Sequence, residues 1–264
     1  MKANPLVSII TPTLNSEKYL EDTILSVLNQ SYKNIEYIIV DGDSSDATHK
    51  IINKYKTSIS HVLVEQDAGM YSAVNKGIKK SSGEIIAYLN SDDLYFEDTV
   101  EIIVDIFSSR ADIDLIYGSE DVINEKGEYL YTFQFPTFIW RLFVSANFST
   151  IGQPCSFWKK SVHNHSGYFD ENLKMAADFD FYCKVGKDLS FFNIKKTIGS
   201  YRLHSNSLTS NKHSLSLSDI NIIHSRYAKG IIFKSLRPVF GFIQKFWFRV
   251  LNIKTLFIKY KLNV

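Results

Sequence analysis

From Glu84 the chain runs Ile85, Ile86, Ala87, Tyr88, Leu89, Asn90, Ser91 and then Asp92 and Asp93, an apolar stretch of strand length that breaks into two adjacent carboxylates. That break limits the fold. Charges at the end of a buried strand lie at the mouth of a sheet, where open α/β folds bind their ligands. Neighbouring carboxylates repel unless a cation lies between them. A hard divalent ion gripping a diphosphate answers both conditions, and helix capping is the other ordinary use of acids at this position.

The same arrangement recurs along the chain. Leu6–Thr11 reads as a strand stopped by Pro12, Ile35–Val40 as one ending at Asp41, Gly42 and Asp43, His61–Glu65 as one followed by Asp67 and Gly69, and Leu115–Tyr117 as a fifth. Helical stretches alternate with them. Asn15 or Ser16 is placed to cap a helix carrying Leu20, Ile24, Val27 and Leu28 on one face, and Ser44 or Ser45 to open one carrying Ile51, Ile52 and Tyr55. Gly69–Lys80 and the stretch through Val100, Ile103, Val104 and Phe107 complete the set. Alternation of this kind predicts a mainly parallel sheet. Parallel strands share one carboxyl edge, so Asp41, Asp67, Asp92 and Asp93 are expected to converge. Farther on, residues 119–135 predict a hairpin turning at Glu125, Lys126 and Gly127, Asp178–Lys187 a helix and Phe191–Tyr201 a strand. Residues 137–175 carry no strong pattern, and 220–262 read as helical or interfacial.

The carboxylates divide by position. Asp41 is placed to accept the N3–H of a uracil, Asp67 to position the nucleotide sugar or a nearby lysine, and the Asp92–Asp93 pair to hold a metal that neutralises a diphosphate leaving group. Neither a glycine-rich dinucleotide fingerprint nor a phosphate-cradling lysine loop follows the first strand, which disfavours dinucleotide and P-loop folds. Charge is unevenly spread. Net charge is +2, yet nine basic residues and no acidic one follow Asp219, leaving residues 1–219 at −7. Phe240, Phe242, Phe246, Trp247, Phe248, Leu251, Leu256 and Phe257 interleave with those cations, a pattern of helices that lie on anionic membrane surfaces; docking on the acidic body or on a second subunit is the alternative. The acidic body argues against nucleic acid. Cys155 and Cys183 are too few for a metal cluster or a disulfide framework, so a reducing compartment is expected. With neither a signal-type apolar core at the start nor a bilayer-length apolar run, the body is expected in the cytoplasm, peripheral to the inner face of the membrane. His163 and His165 lack ligand partners at recognisable spacing and are expected to be solvated, and Asp180 to be structural or to face the acceptor.

Five blocks in order resemble the family 2 glycosyltransferases of the GT-A fold: Val7–Asn15, Ile39–Thr48, Asp67–Gly77, Leu89–Asp93, and the acceptor-side pair Gly152–Lys160 and Ala176–Asp180. The resemblance covers about residues 5–210. It implies a mainly parallel, Rossmann-like nucleotide-binding sheet flanked by helices, divided at about 1–118 (nucleotide-sugar half) and 119–219 (acceptor half), with 220–264 as a basic amphipathic extension. It implies that Thr11, Pro12, Thr13 and Asn15 line the nucleotide pocket and that Asp41 meets the base. Asp67, Asn75 and Lys76 would lie near the ribose or diphosphate, and Ser91 and Asp92 would face the donor. Asp93 and His204 would hold Mn²⁺ or Mg²⁺, and Asp178 would be the base. Such an enzyme inverts the anomeric centre while moving a sugar from a nucleotide donor, UDP-linked by expectation, to a lipid-linked or oligosaccharide acceptor in surface polysaccharide synthesis. Departures fall at Asp43 and Gly152, where the family often has Gly and His, at Ser72, where it has Asp, and at Ala177, where it has Glu. A non-catalytic nucleotide-sugar or glycan-binding module and a sugar-nucleotide nucleotidyltransferase are the rival readings; the second needs a basic glycine-rich loop where Thr11–Asn15 stands.

Overall fold

The computed structural model describes residues 4–146, 148–205, 207, 213–228 and 231–253. Nine strands form one sheet: β1 (Val7–Thr13), β2 (Ile35–Asp41), β3 (His61–Val64), β4 (Ile85–Tyr88), β5 (Leu94–Tyr95), β6 (Leu115–Ile123), β7 (Tyr129–Phe133), β8 (Ser156–Lys159) and β9 (Phe191–Arg202). Their order is β3-β2-β1-β4-β8-β6-β9-β5, with β7 paired to β6. The helices are α1 (Leu20–Leu28), α2 (Thr48–Lys54), α3 (Met70–Lys80), α4 (Thr99–Ser109), α5 (Trp140–Phe143), α6 (Val162–Ser166), α7 (Ala177–Val185), α8 (His213–Tyr227) and α9 (Ile231–Leu251).

The parallel expectation holds for β3, β2, β1 and β4. It then breaks, because β8 returns from the patternless segment and wedges antiparallel between β4 and β6. Beyond it β6 and β9 run parallel, and the β6–β7 hairpin turns at Gly127, which adopts φ +82°. β1 does not stop at Pro12. The carbonyl of Ile10 accepts from Leu89 N, so it faces β4. Two residues on, the place of the missing Pro12 N–H faces the same way, past the last β4 pair, Ile10 with Tyr88. The proline therefore leaves no ladder bond unmade.

α1 and α2 start later than the serines and asparagine suggested. Those residues bind each other across the two strand ends: Asn15 N donates to Ser44 Oγ, Ser45 N to Asn15 Oδ1, and Ser16 N to Thr48 Oγ1. Asn15 takes φ +49° to do so, a conformation that Asn tolerates. One apolar layer lies under α3, α7 and α8, and a second under α1, α2 and α4. His163 is buried rather than solvated. It accepts from Trp158 Nε1 at 2.8 Å, with its other ring nitrogen on Gly167 O, and burial pulls its pKa down.

The basic extension docks on the body. Arg226 of α8 spans Asp180 (2.8 Å) and Asp170 (2.6 Å), while Asp219 Oδ2 accepts from the backbone N–H groups of Lys174, Met175 and Ala176. From α9, Phe248 packs on Phe133, Phe135 and Phe148, Gln244 bonds Thr150, and Asn252 bonds the Gln134 backbone in both directions. Leu236, Val239, Phe242, Ile243, Phe246, Val250 and Ile253 are exposed. They recur at helical three- and four-residue steps, so they form a stripe on the face away from these contacts. Lys254, Leu256, Phe257, Lys259 and Lys261 lie outside the described residues.

α3 seats closely on β1: a Cβ added at Gly77 would lie 2.4 Å from Ile10 Cγ2. Gly77→Ala is therefore expected to destabilise the protein by about 1–3 kcal/mol through overpacking, measured as a lowered urea midpoint at unchanged slope.

Candidate active site

The carboxyl ends of β1, β2 and β3 gather the first group of residues. Asp41 is fully buried and accepts from Ser44 N, Ser44 Oγ and His49 Nε2, so its oxygens are held by the protein itself. Asp67 Oδ1 receives Lys76 Nζ at 2.5 Å, while Oδ2 is buried and has no partner among the described residues. That free oxygen points at Gly42, where a Cβ would meet it at 3.6 Å and Leu14 at 3.3 Å. Asp67 Oδ2, Gly42 and exposed Leu14 thus lie together, with one carboxylate oxygen free to accept the hydrogen bond that a base N–H gives. Thr13 is buried with its hydroxyl unpartnered, and Pro12 is buried beside it. Thr11 and Asn75 are already committed. Thr11 Oγ1 shares a hydrogen bond with Tyr37 OH in the core, and the Asn75 amide holds Phe169 N, Phe169 O and Glu171 Oε1.

The second group forms where β4 breaks. Asp93 is fully buried; Arg202 N donates to its Oδ1 at 3.0 Å and Asn90 Nδ2 to its Oδ2 at 3.3 Å. Burial, and after it the charge of Asp92, holds the Asp93 carboxyl well above the usual carboxylate range. Asp92 Oδ2 meets His204 Nε2 at 2.9 Å, and the His204 ring tilts against Tyr19. Ser91 shares a hydrogen bond with Ser16. Arg202, 1% exposed, ties the corner together through Asp92 O, Glu125 O and Asp22 Oδ2. Among the described residues, no three ligand-type side chains converge to hold an ion by themselves. Mg²⁺ or Mn²⁺ bound with a nucleotide needs only one or two carboxylates, since substrate phosphates complete the shell. Asp93 with its raised pKa, Asp92 and His204 fit that partial set.

The third element is Asp178 in the first turn of α7. Tyr71 OH donates to Oδ1 at 3.2 Å, and Phe179 N donates to the same oxygen. Burial raises its pKa. Asp219 takes the backbone N–H groups just ahead of α7, and Asp178 itself takes the first-turn N–H of Phe179. Burial raises the Tyr88 phenol, with smaller contributions from Tyr71, Asp178, Tyr182 and Asp93. Asp180 is structural, paired with Arg226.

Sequence reasoning passed over Gln153, Tyr71, Arg202 and Glu120 as individual residues. Gln153 joins the halves, donating to Tyr88 O at 2.6 Å and accepting from Asn90 Nδ2 at 3.0 Å. Gly152, where the resemblance led to a histidine, has a steric cause. A Cβ there would lie 2.4 Å from Glu120 Oε2. No local motif marks Glu120, which reaches the site only through the pairing of β6.

The family description "Glycosyl transferase family 2" matches residues 8–165. An uncharacterized glycosyltransferase of Rickettsia typhi is 30% identical over 93% of this chain and 80% of its own length. The putative teichuronic acid biosynthesis glycosyltransferase TuaG of Bacillus subtilis is 39% identical over 40% of this chain and 44% of its own. Among solved structures, TarS 1–349 of S. aureus in complex with UDP-GlcNAc superposes with a TM-score of 0.69 at 18% identity, covering 94% of this chain and 74% of that one. The matched span takes in β1 to β4, their strand-end acids and the Gln153 strut, and on that ground the chain belongs to glycosyltransferase family 2, with the GT-A fold.

Proposed function

We propose that this chain is an inverting, metal-dependent transferase that moves a sugar from a UDP-linked donor to a hydroxyl of a lipid-linked or oligosaccharide acceptor in surface polysaccharide synthesis. One observation carries the reading: Asp93, buried at the end of β4, and Asp92 beside it are gripped by Arg202 at the end of β9 and by His204 just beyond it. The open oxygen of Asp67, just after β3, suits a uracil N–H. The UDP-GlcNAc bound by TarS and the biosynthetic role in the name of TuaG point the same way.

Glycosyl transfer needs a stabilised diphosphate on one side of the sugar and a proton acceptor on the other. Asp93, with Asp92 and His204, would hold a divalent cation, which when bound neutralises the departing diphosphate. Asp178 takes the proton of the acceptor hydroxyl. Attack then comes from the face opposite the leaving group and inverts the anomeric centre. Its raised pKa makes it a better base than an exposed aspartate, and the Tyr71 hydrogen bond keeps its charged form accessible.

Asp178→Asn is expected to lower kcat by about 10²–10⁴-fold, with UDP affinity by calorimetry essentially unchanged. Equal loss of UDP binding would move Asp178 out of the base role. A base must be unprotonated, so activity should rise with pH through the raised pKa of Asp178. Tyr71→Phe removes a hydrogen bond to the charged form and should displace that rise to higher pH. Protons held by Asp93 must leave for a cation to bind. Mn²⁺ affinity in the presence of UDP should therefore tighten as pH increases, and titrations in buffers of different ionisation enthalpy should report proton release.

The outer face of α9 adds a location. Its exposed apolar stripe is rimmed by exposed Lys245 and Arg249, and no acidic residue follows Asp219. No helix among the described residues is long and apolar enough to cross a membrane. A helix docked by one face, with apolar side chains and cations outward, suits the surface of an anionic bilayer, where a lipid-linked acceptor lies. The full chain should float with phosphatidylglycerol vesicles and not with phosphatidylcholine vesicles, and Phe242→Ser with Phe246→Ser should abolish flotation. A dimer by light scattering that the same pair of substitutions dissolves, with no flotation, would assign the stripe to a second copy instead.

A further inference from the structure

Glu120 of β6 is 8% exposed, and no Lys, Arg or His among the described residues lies within ion-pair distance of it. Its Oε2 has no hydrogen-bond partner among the described residues. Burying a carboxyl without a partner destabilises a fold. An apolar residue would serve packing better here, beside Phe135 and Cys155. Gly152 makes the room: a Cβ there would lie 2.4 Å from Glu120 Oε2 and 2.7 Å from Phe135.

The next residue is Gln153, whose amide is fully engaged by Tyr88 O and Asn90 Nδ2. Asn90 in turn donates to Asp93 Oδ2 at 3.3 Å, so Gly152 and Gln153 lead from Glu120 to the acid at the end of β4. Burial, acting alone, pushes the Glu120 carboxyl up to about 8, so at neutral pH it carries a proton and can both donate and accept. A protonated acid offers no cation and no N–H for an anion. It matches a group that gives one hydrogen bond and takes another, as a sugar hydroxyl does.

We propose that Glu120 is a specificity-determining residue whose carboxyl hydrogen-bonds a hydroxyl of the sugar being transferred. The inference rests on the glycosyltransferase reading above. Gly152 belongs to it as the residue that leaves the carboxyl its place.

The test measures kcat/KM for UDP-glucose, UDP-galactose, UDP-N-acetylglucosamine and UDP-N-acetylgalactosamine on the full chain, with UDP affinity by calorimetry. Glu120→Ala should lower the value for the preferred donor about 10²-fold while changing that for its epimer less than about threefold, because only one of the two presents the hydroxyl being read. UDP affinity should stay within about twofold, since the carboxyl does not touch the nucleotide. Glu120→Gln keeps the shape and one donor, and should retain the donor ranking. Gly152→Ala, which crowds the carboxyl from the other side, should reproduce the loss of ranking. Equal losses for every donor, or a ranking that survives Glu120→Ala, would overturn this inference and leave the transferase reading standing. A wild-type chain that turns over no nucleotide sugar would overturn both.

Discussion

The site depends on keeping the Asp93 carboxylate out of water beside a second acid. A buried acid beside a second acid is tolerated only if donors meet it, and here the donors come largely from the far end of the chain. Arg202 N reaches Asp93, Arg202 Nε reaches Asp92 O, and the guanidinium continues to Asp22 and Glu125 O while lying over the Tyr19 ring. That network binds the loop after β4 to the last residue of β9 and to α1, so the two halves of the molecule close on each other at the acids. The donors only partly compensate: Asp93, Glu120 and Asp178 all keep raised pKa values.

The mixed sheet supplies the rigidity this requires. β8 carries Trp158 into the core and leads directly out of the turn that bears Gln153. Gln153 spans to the backbone of β4 and to Asn90, so one amide ties the turn before β8 to the end of β4. On the opposite side, α8 caps the approach to α7 through Asp219 and fixes Asp180 and Asp170 through Arg226, which holds the helix bearing Asp178. The extension is thus part of the frame, and its outer apolar face is surplus to folding.

The strand-end acids were legible because their signal is local. An apolar run followed by Asp needs no knowledge of the rest of the chain, and the hairpin at Gly127 and the helices at Met70–Lys80 and Thr99–Ser109 follow from the same short-range patterns. The engagement of individual polar atoms was not legible. Thr11 reads as a pocket residue and turns to Tyr37; Asn75 reads the same way and pins Phe169; His163 reads as a surface residue and sits under Trp158. Each outcome depends on what another element brings to within 3 Å, and hydrogen bonding at that range has no trace in local periodicity.

The amino-acid sequence by itself determined the alternation of strands and helices, the carboxylates at the edge of the sheet, the cationic and aromatic end of the chain, and the family. Those properties rest on side-chain period and on charge placed next to apolar runs. Only the tertiary structure decided that β8 intrudes between β4 and β6, that Arg202 of β9 grips Asp93, that Glu120 lies buried behind Gly152, and that α9 turns its apolar stripe outward. These are matters of which distant surfaces exclude water from one another, and that is settled by packing the whole chain at once.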